Sequence, residues 1–214
     1  VLCETGESFY EYFNSNDLPE FHRNMLGLCF GYASAMMLIE VSGRPDIVMG
    51  YSMGEYTAAC IAGSMTFAQV VRINYERLKL FAEAPVGGML SVAATSDEIS
   101  SFLGDDTWIS ADNTTGRLLV SGTEEGIIRL KTSFDEIGIY STELPLNRSG
   151  HCPLIKNVAE KFGNIIKNEV FLEPKIPFVS AMLGGFAKKG EITSSTYWVN
   201  HMVQKVNFNA AITE

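Results

Sequence analysis

Residues 46–63, DIVMGYSMGEYTAACIAG, constrain this chain more than any other stretch. A short apolar run ends at Gly50, and small, helix-compatible residues take over from Met53. Between them, Gly50, Ser52 and Gly54 have the G-x-S-x-G spacing of a nucleophile elbow, where a strand turns sharply into a helix and lifts a serine hydroxyl off the backbone. A serine hydroxyl is a weak nucleophile unless it is exposed, relieved of its proton on attack and faced by oxyanion donors. The turn exposes it, and the following helix N-terminus offers N–H groups and positive potential. The N–H of Met53, the residue after the serine, is the expected oxyanion donor. The glycines at 50 and 54 are expected to permit the tight turn and close helix packing.

The same pattern occurs on structural turns, so its neighbours matter. The run before Gly50 reads as a buried parallel strand. Upstream, residues 7–15 read as a short helix. Residues 20–42 read as a longer one, apolar nearly all round at its centre and stopped near Ser42-Gly43. Residues 66–83 read as an amphipathic helix opening at Thr66.

From residue 88 the pattern changes to strand (88–95), helix (96–103), strands (108–113 and 117–122) joined by the turn NTTGR, helix (124–137) and strand (140–145). This βαββαβ order is the ferredoxin-like, split-βαβ arrangement. Residues 87–146 are therefore expected to form a small subdomain inserted into an α/β core made of 1–86 and 147–214. The core resumes with a helix over 153–168, a strand in IPFVSAM and a helix over 195–214.

Composition narrows the function. With 46% hydrophobic and 19% charged residues, the chain has enough apolar surface for a large core. A net charge of −9 argues against nucleic acid, because there is no basic field to neutralise phosphates. Cys3, Cys29, Cys60 and Cys152 fit neither a zinc site nor a disulfide framework, which leaves reduced thiols in a cytoplasmic protein. The longest uncharged run, residues 24–39, falls short of the roughly 20 residues that span a bilayer and reads as a buried core helix, so no membrane is expected. The N-terminus lacks the basic-then-apolar pattern of a signal peptide. Asp105-Asp106 and Glu124-Glu125 read as loop and helix-start charges, and Cys152 as a packing residue. Lys188-Lys189 read as solvated, or as part of a basic patch with Arg117 and Arg129 for an acidic partner.

At GYSMGEYTAACIAG the chain resembles the malonyl-CoA:acyl-carrier-protein transacylase and polyketide synthase acyltransferase family, whose elbow reads GHSxGE followed by small residues and a glycine. Three further segments match in order: YERLKLFAEAPVGGML, an arginine-bearing helix before a Gly-Met strand; ADNTTGRLLVSG, an Asn-bearing hairpin; and RSGHCPLI, a histidine segment. The resemblance runs from about residue 20 to the C-terminus. It implies a hydrolase-like α/β domain with an inserted ferredoxin-like subdomain, the order read independently above.

The resemblance also implies roles. Ser52 is the nucleophile and His151, one of three histidines, the general base, with a loop or core histidine as the alternative. Arg77 grips the free carboxylate of a malonyl-type group bidentately; the alternative is a solvated helix arginine paired with an acid. His201, beside Asn200, stands where the family lends a backbone carbonyl to the catalytic histidine, or is a partly buried helix histidine. Asn113 lines the pocket or serves the hairpin turn. Gly150 replaces the Phe or Ser that accompanies malonyl or methylmalonyl selectivity in modular relatives, and so gives extra room.

The implied reaction is ping-pong acyl transfer from malonyl-CoA to the phosphopantetheine thiol of an acyl carrier protein, in fatty acid or polyketide synthesis, with no bound cofactor and no metal. A thioester hydrolase using the same Ser52–His151 pair is the alternative, and a degenerate docking domain a third reading. The chain departs from the family at Tyr51, in place of His, and at Arg23, near a usual Gln. The family's Gly-Gln-Gly segment, with its second oxyanion donor, and its Gly-Pro-Gly stretch have no counterpart, so the chain resembles a member truncated at both ends. Losing one such donor costs on the order of a hundredfold in rate.

Overall fold

The computed structural model describes residues 18–214; the helix expected over 7–15, and Cys3, lie outside them. Helix α1 (Glu20–Ser42) keeps the expected bounds, set by Pro19 before it and Gly43 after it. Strand β1 (Val48–Met49) is shorter than the apolar run, because the chain already turns at Gly50. Helix α2 (Gly54–Ile61) carries the elbow, and α3 (Phe67–Ala82) follows. Thr66 caps α3 through a reciprocal pair: Gln69 N–H donates to Thr66 Oγ1 at 3.1 Å, and Thr66 N–H to Gln69 Oε1 at 3.0 Å.

The next segment contains β2 (Gly87–Val92), the short α4 (Ser96–Ile99), β3 (Thr107–Thr114), β4 (Arg117–Thr123), α5 (Glu124–Ile137) and β5 (Ser141–Glu143). Its strands form one antiparallel sheet in the order β3-β4-β2-β5. Leu90, Val92, Ile99, Leu118, Val120, Ile127, Leu130 and Phe134 build a core for this sheet alone. Thr123 caps the start of α5, and Gly138 ends it in the left-handed conformation at φ 76°.

Helix α6 (Lys156–Ile166), β6 (Phe178–Ser180), β7 (Gly185–Phe186), α7 (Ser195–Val203) and α8 (Phe208–Thr213) complete the chain. β1 pairs parallel with β6, while β7 returns antiparallel on β6, so the parallel sheet expected from the sequence is a mixed one among the described residues. A larger core unites α2 and α3 with α6 and α7 through Tyr56, Ala59, Val70, Val158, Phe162, Phe178, Trp198 and Met202.

Two expectations need correction. The helix read over 195–214 is broken: Gln204 is extended (φ −80°, ψ 149°), and Val206 bridges β3, its N–H donating to Ser110 O at 2.9 Å while its carbonyl accepts from Asp112 N–H at 2.8 Å. Adding to a sheet edge here outweighs continuing the helix. The second correction concerns α1, which the sequence reads as a buried core helix. Only Met25 and Leu28 are buried, while Phe30 is 71% and Val41 85% exposed. α1 packs by one stripe on α2 and α3, and its opposite face meets nothing among the described residues. It is long and apolar enough to cross a membrane by length and composition.

Gly50 is dictated by the elbow: a Cβ there would sit 2.2 Å from Glu55 N and from Gly54 C. Gly54 has no such neighbour within 4 Å, so the close packing expected of it is not seen. Gly50→Ala is therefore expected to destabilise the fold by more than about 2 kcal/mol, whereas Gly54→Ala is expected to change the thermal midpoint little. Thermal melts of the two variants check this.

Candidate active site

The elbow is wound tightly. Gly54 N–H donates to Tyr51 O at 2.8 Å and Glu55 N–H to Ser52 O at 2.9 Å. Ser52 itself has φ 48°, left-handed for a residue with a Cβ. His151 shows the same feature at φ 55°. Its segment is stitched to the antiparallel sheet: Ser149 Oγ donates to the Gly122 carbonyl at 2.6 Å, and Ser121 Oγ to the Gly150 carbonyl at 2.9 Å. From the other side, α7 holds it. His151 N–H donates to Met202 O at 3.0 Å, and Nδ1 meets the Gln204 carbonyl at 3.1 Å. A carbonyl only accepts, so Nδ1 carries the proton and Nε2 is left with a lone pair. That lone pair faces Ser52 Oγ at 2.7 Å.

Burial, and then the positive charge of Arg77, push the His151 imidazole down to about 4, against the backbone carbonyls of Gln204 and His201, which favour the charged form. At neutral pH the ring is therefore neutral and able to take a proton.

A cavity of about 260 Å³ opens on this pair, lined by Tyr51, Ser52, Met53, Arg77, Gly150 and His151 and walled by apolar side chains including Leu78, Phe81, Met89 and Leu119. Arg77 comes from α3 and is only 8% exposed, its guanidinium 5.8 Å from the Tyr56 ring centroid. Its Nε has no hydrogen-bond partner, and no carboxylate pairs with it among the described residues. A buried cation without a counter-ion is costly.

The other expected residues fall as follows. Met53 lies at the N-terminus of α2 on the cavity wall, and its N–H has no backbone partner among the described residues. Gly150 also lines the cavity; the nearest atom to a Cβ built on it is Phe81 Cζ at 4.0 Å. Asn113 does not line the cavity, and its Oδ1 has no hydrogen-bond partner among the described residues. His201 is likewise set back, buried behind His151 with ring centroids 5.8 Å apart. Arg23 is exposed and outside the cavity wall, where Glu20 and Asn24 of the same helix stand. Burial pushes the Cys152 thiol up to about 11, which fits a packing role. Arg129 is paired with Asp106 at 2.6 Å, so it is not free to join a basic patch with Arg117 and Lys188-Lys189.

Two residues escaped the sequence reading. The main-chain carbonyl expected from His201 at His151 Nδ1 is instead that of Gln204, because the helix ends at Val203 and the chain turns extended there. Glu55, inside the elbow motif, is fully buried behind Ser52. No group of three His, Cys, Asp or Glu residues is placed to hold a metal among the described residues.

Residues 31–214 match the family described as "Acyl transferase domain". The phenolphthiocerol synthesis polyketide synthase type I Pks15/1 of Mycobacterium marinum is 34% identical over 167 residues, which is 77% of this chain and 8% of that protein. Naringenin synthase of Pestalotiopsis fici is 32% identical over 177 residues, 79% of this chain and 6% of that protein. Among solved structures, the acyl transferase domain of SpnD, in complex with 2-(pent-4-yn-1-yl)malonyl, superposes with a TM-score of 0.94 at 27% identity, covering 100% of this chain and 52% of that one. The malonyl CoA-acyl carrier protein transacylase of Burkholderia pseudomallei shares the fold, with a TM-score of 0.84 at 22% identity over 90% of this chain and 68% of that one. The chain thus spans a small part of the curated relatives and about half of the SpnD structure. On the extent of the family match and the identity to these synthases, it belongs to the acyl transferase domain family.

Proposed function

We propose that the domain moves a malonyl-type acyl group from coenzyme A to the phosphopantetheine thiol of an acyl carrier protein, through an acyl-serine. Ser52 Oγ attacks the thioester carbonyl while His151 Nε2 takes its proton, and the Met53 N–H faces the oxyanion. The carbon–sulfur bond then breaks, and the departing coenzyme A sulfur takes the proton back from His151. In the second half-reaction the carrier thiol gives its proton to His151, attacks the acyl-serine carbonyl, and releases Ser52 with that proton. The chemistry calls on no metal or cofactor.

The observation that carries this reading is the buried Arg77, without a carboxylate partner among the described residues, on the cavity wall shared with the Ser52–His151 pair. An acyl group bearing its own carboxylate supplies the missing partner, whereas an uncharged acyl group leaves the cation unpaired. Gly150 leaves one wall open, which favours room for an α-substituent. The malonyl in the SpnD structure carries one. The synthase relatives favour polyketide assembly. The free thiols Cys29, Cys60 and Cys152 fit a cytoplasmic setting. We read residues 87–146 as a ferredoxin-like subdomain inserted in a hydrolase-like core of 1–86 and 147–214; the sheet order and the separate apolar core support that division.

Intact-mass analysis of the full-length protein with malonyl-CoA is expected to give an adduct that Ser52→Ala lacks and that holo carrier protein discharges. An adduct lost to water equally fast without carrier would instead establish the hydrolase. Arg77→Ala is expected to lower the malonyl acylation rate about a hundredfold, worth about 2.7 kcal/mol, and to abolish discrimination against acetyl-CoA. Because His151 acts as its neutral form and its pKa is lowered to about 4, acylation falls as pH drops through that value, where the base becomes protonated. Rapid-quench acylation across an acid pH series checks the sign.

A further inference from the structure

Glu55 lies three residues beyond the nucleophile and has no exposed surface. Its Oε1 accepts the N–H groups of Ala181 at 2.8 Å and Met182 at 3.2 Å, just past the end of β6. Its Oε2 accepts the Tyr197 hydroxyl of α7, which also meets Ser180 Oγ at 2.7 Å. His201, on the same helix, places Nε2 3.8 Å from Oε2, and its ring sits edge-on to that of His151. One carboxylate thus ties together the elbow helix, the strand paired with β1, and the helix whose end supplies the Met202 and Gln204 carbonyls to His151.

We propose that Glu55 is a positioning residue: by fastening α2 to α7 and to the end of β6, it sets the separation of Ser52 from His151. A charged acceptor with three donors gives shorter, stiffer hydrogen bonds than a neutral one. The ionised carboxylate is therefore the better clamp. Burial raises Glu55 to about 7, against the Tyr197 hydroxyl and the Met182 and Ala181 N–H groups, which hold it down. The titratable groups facing it are Tyr197 and His201 from α7 and Tyr56 from α2, with Arg77 of α3 beyond Tyr56; β6 offers Ser180 and backbone N–H groups. Burial keeps His201 neutral and both tyrosines protonated at neutral pH, so Glu55 is the group of this cluster that changes charge near pH 7.

The inference concerns how Ser52 is activated and rests on the acyl-serine reading only for its natural donor, so it is tested with a donor-independent probe. In the full-length protein, a fluorophosphonate reacts as Ser52 Oγ forms a bond to phosphorus, fluoride leaves and His151 takes the proton. In wild type, the limiting labelling rate is expected to rise with pH through a step near 7, above the His151 step. Glu55→Gln keeps the side-chain shape and is expected to lower the limiting rate at pH 8 tenfold or more and to erase that step. The half-saturating malonyl-CoA concentration for acylation stays within about threefold, because Arg77 and the cavity are untouched. Tyr197→Phe removes a hydrogen bond that holds Glu55 down, and is expected to slow labelling and move the step to higher pH. A folded Glu55→Gln with a rate within twofold of wild type, or with the step retained, overturns the proposal. If Glu55→Gln does not fold, an unshifted and undiminished Tyr197→Phe profile does the same. Wild type that resists the probe overturns it too, whereas wild type labelled by the probe but not acylated by malonyl-CoA sinks only the proposed substrate.

Discussion

Ser52 and His151 both sit in the left-handed backbone region, a conformation that costs about 1–3 kcal/mol at each residue with a side chain. Neither relaxes, because each is held from two sides. The elbow is closed by N–H groups of α2 and by the absence of a Cβ at Gly50, which lets the chain double back onto Gly54 and Glu55. The histidine segment is gripped by hydroxyls of Ser121 and Ser149 on one side and by the end of α7 on the other. These supports come from four parts of the chain, so the 2.7 Å contact between residues 99 apart is a product of the whole fold rather than of either local turn. The antiparallel sheet of residues 87–143 takes part in that support: two of its carbonyls and one of its hydroxyls fasten the loop that carries His151.

What was legible in the sequence follows from what local chemistry encodes. α5 spans the expected residues because Thr123 caps it and Gly138 stops it, both recognisable by residue type. α1 is framed in the same way by Pro19 and Gly43. Its burial was misread because an apolar stretch states only what a helix is able to bury, and the neighbours that cover it are set by tertiary structure. The break after Val203 was invisible for a related reason. Nothing in the residues 204–207 is a strong helix breaker; the extended conformation is imposed by pairing with β3, and it is what aims the Gln204 carbonyl at His151. The side chains that meet at the candidate site, Ser52, His151 and Arg77, are legible from spacing and resemblance. Asn113, expected on the pocket wall or in the hairpin turn, stands off the cavity lining. The resemblance implies a backbone carbonyl for His151 but puts it at His201, because the helix end that selects Gln204 is set by tertiary pairing; a buried partner such as Glu55 carries no local signature.

Under the proposed function, Arg77 links binding to basicity. No carboxylate pairs with its charge among the described residues, and it adds to burial in holding the His151 pKa down to about 4. A base that weak is reliably neutral at physiological pH, but it takes a proton reluctantly, because efficiency rises as the pKa of the base approaches the working pH. Under the proposed function, a carboxylate seated on the guanidinium cancels much of that field, so the occupied site holds a more basic His151 than the empty one. The acyl carboxylate then serves twice: it selects the substrate, and it strengthens the base only when that substrate is present. An acyl group without a carboxylate, or water alone in the cavity, leaves both the cation unpaired and the base weak. On that reading, one buried arginine disfavours the wrong donor in binding and in the chemical step at once.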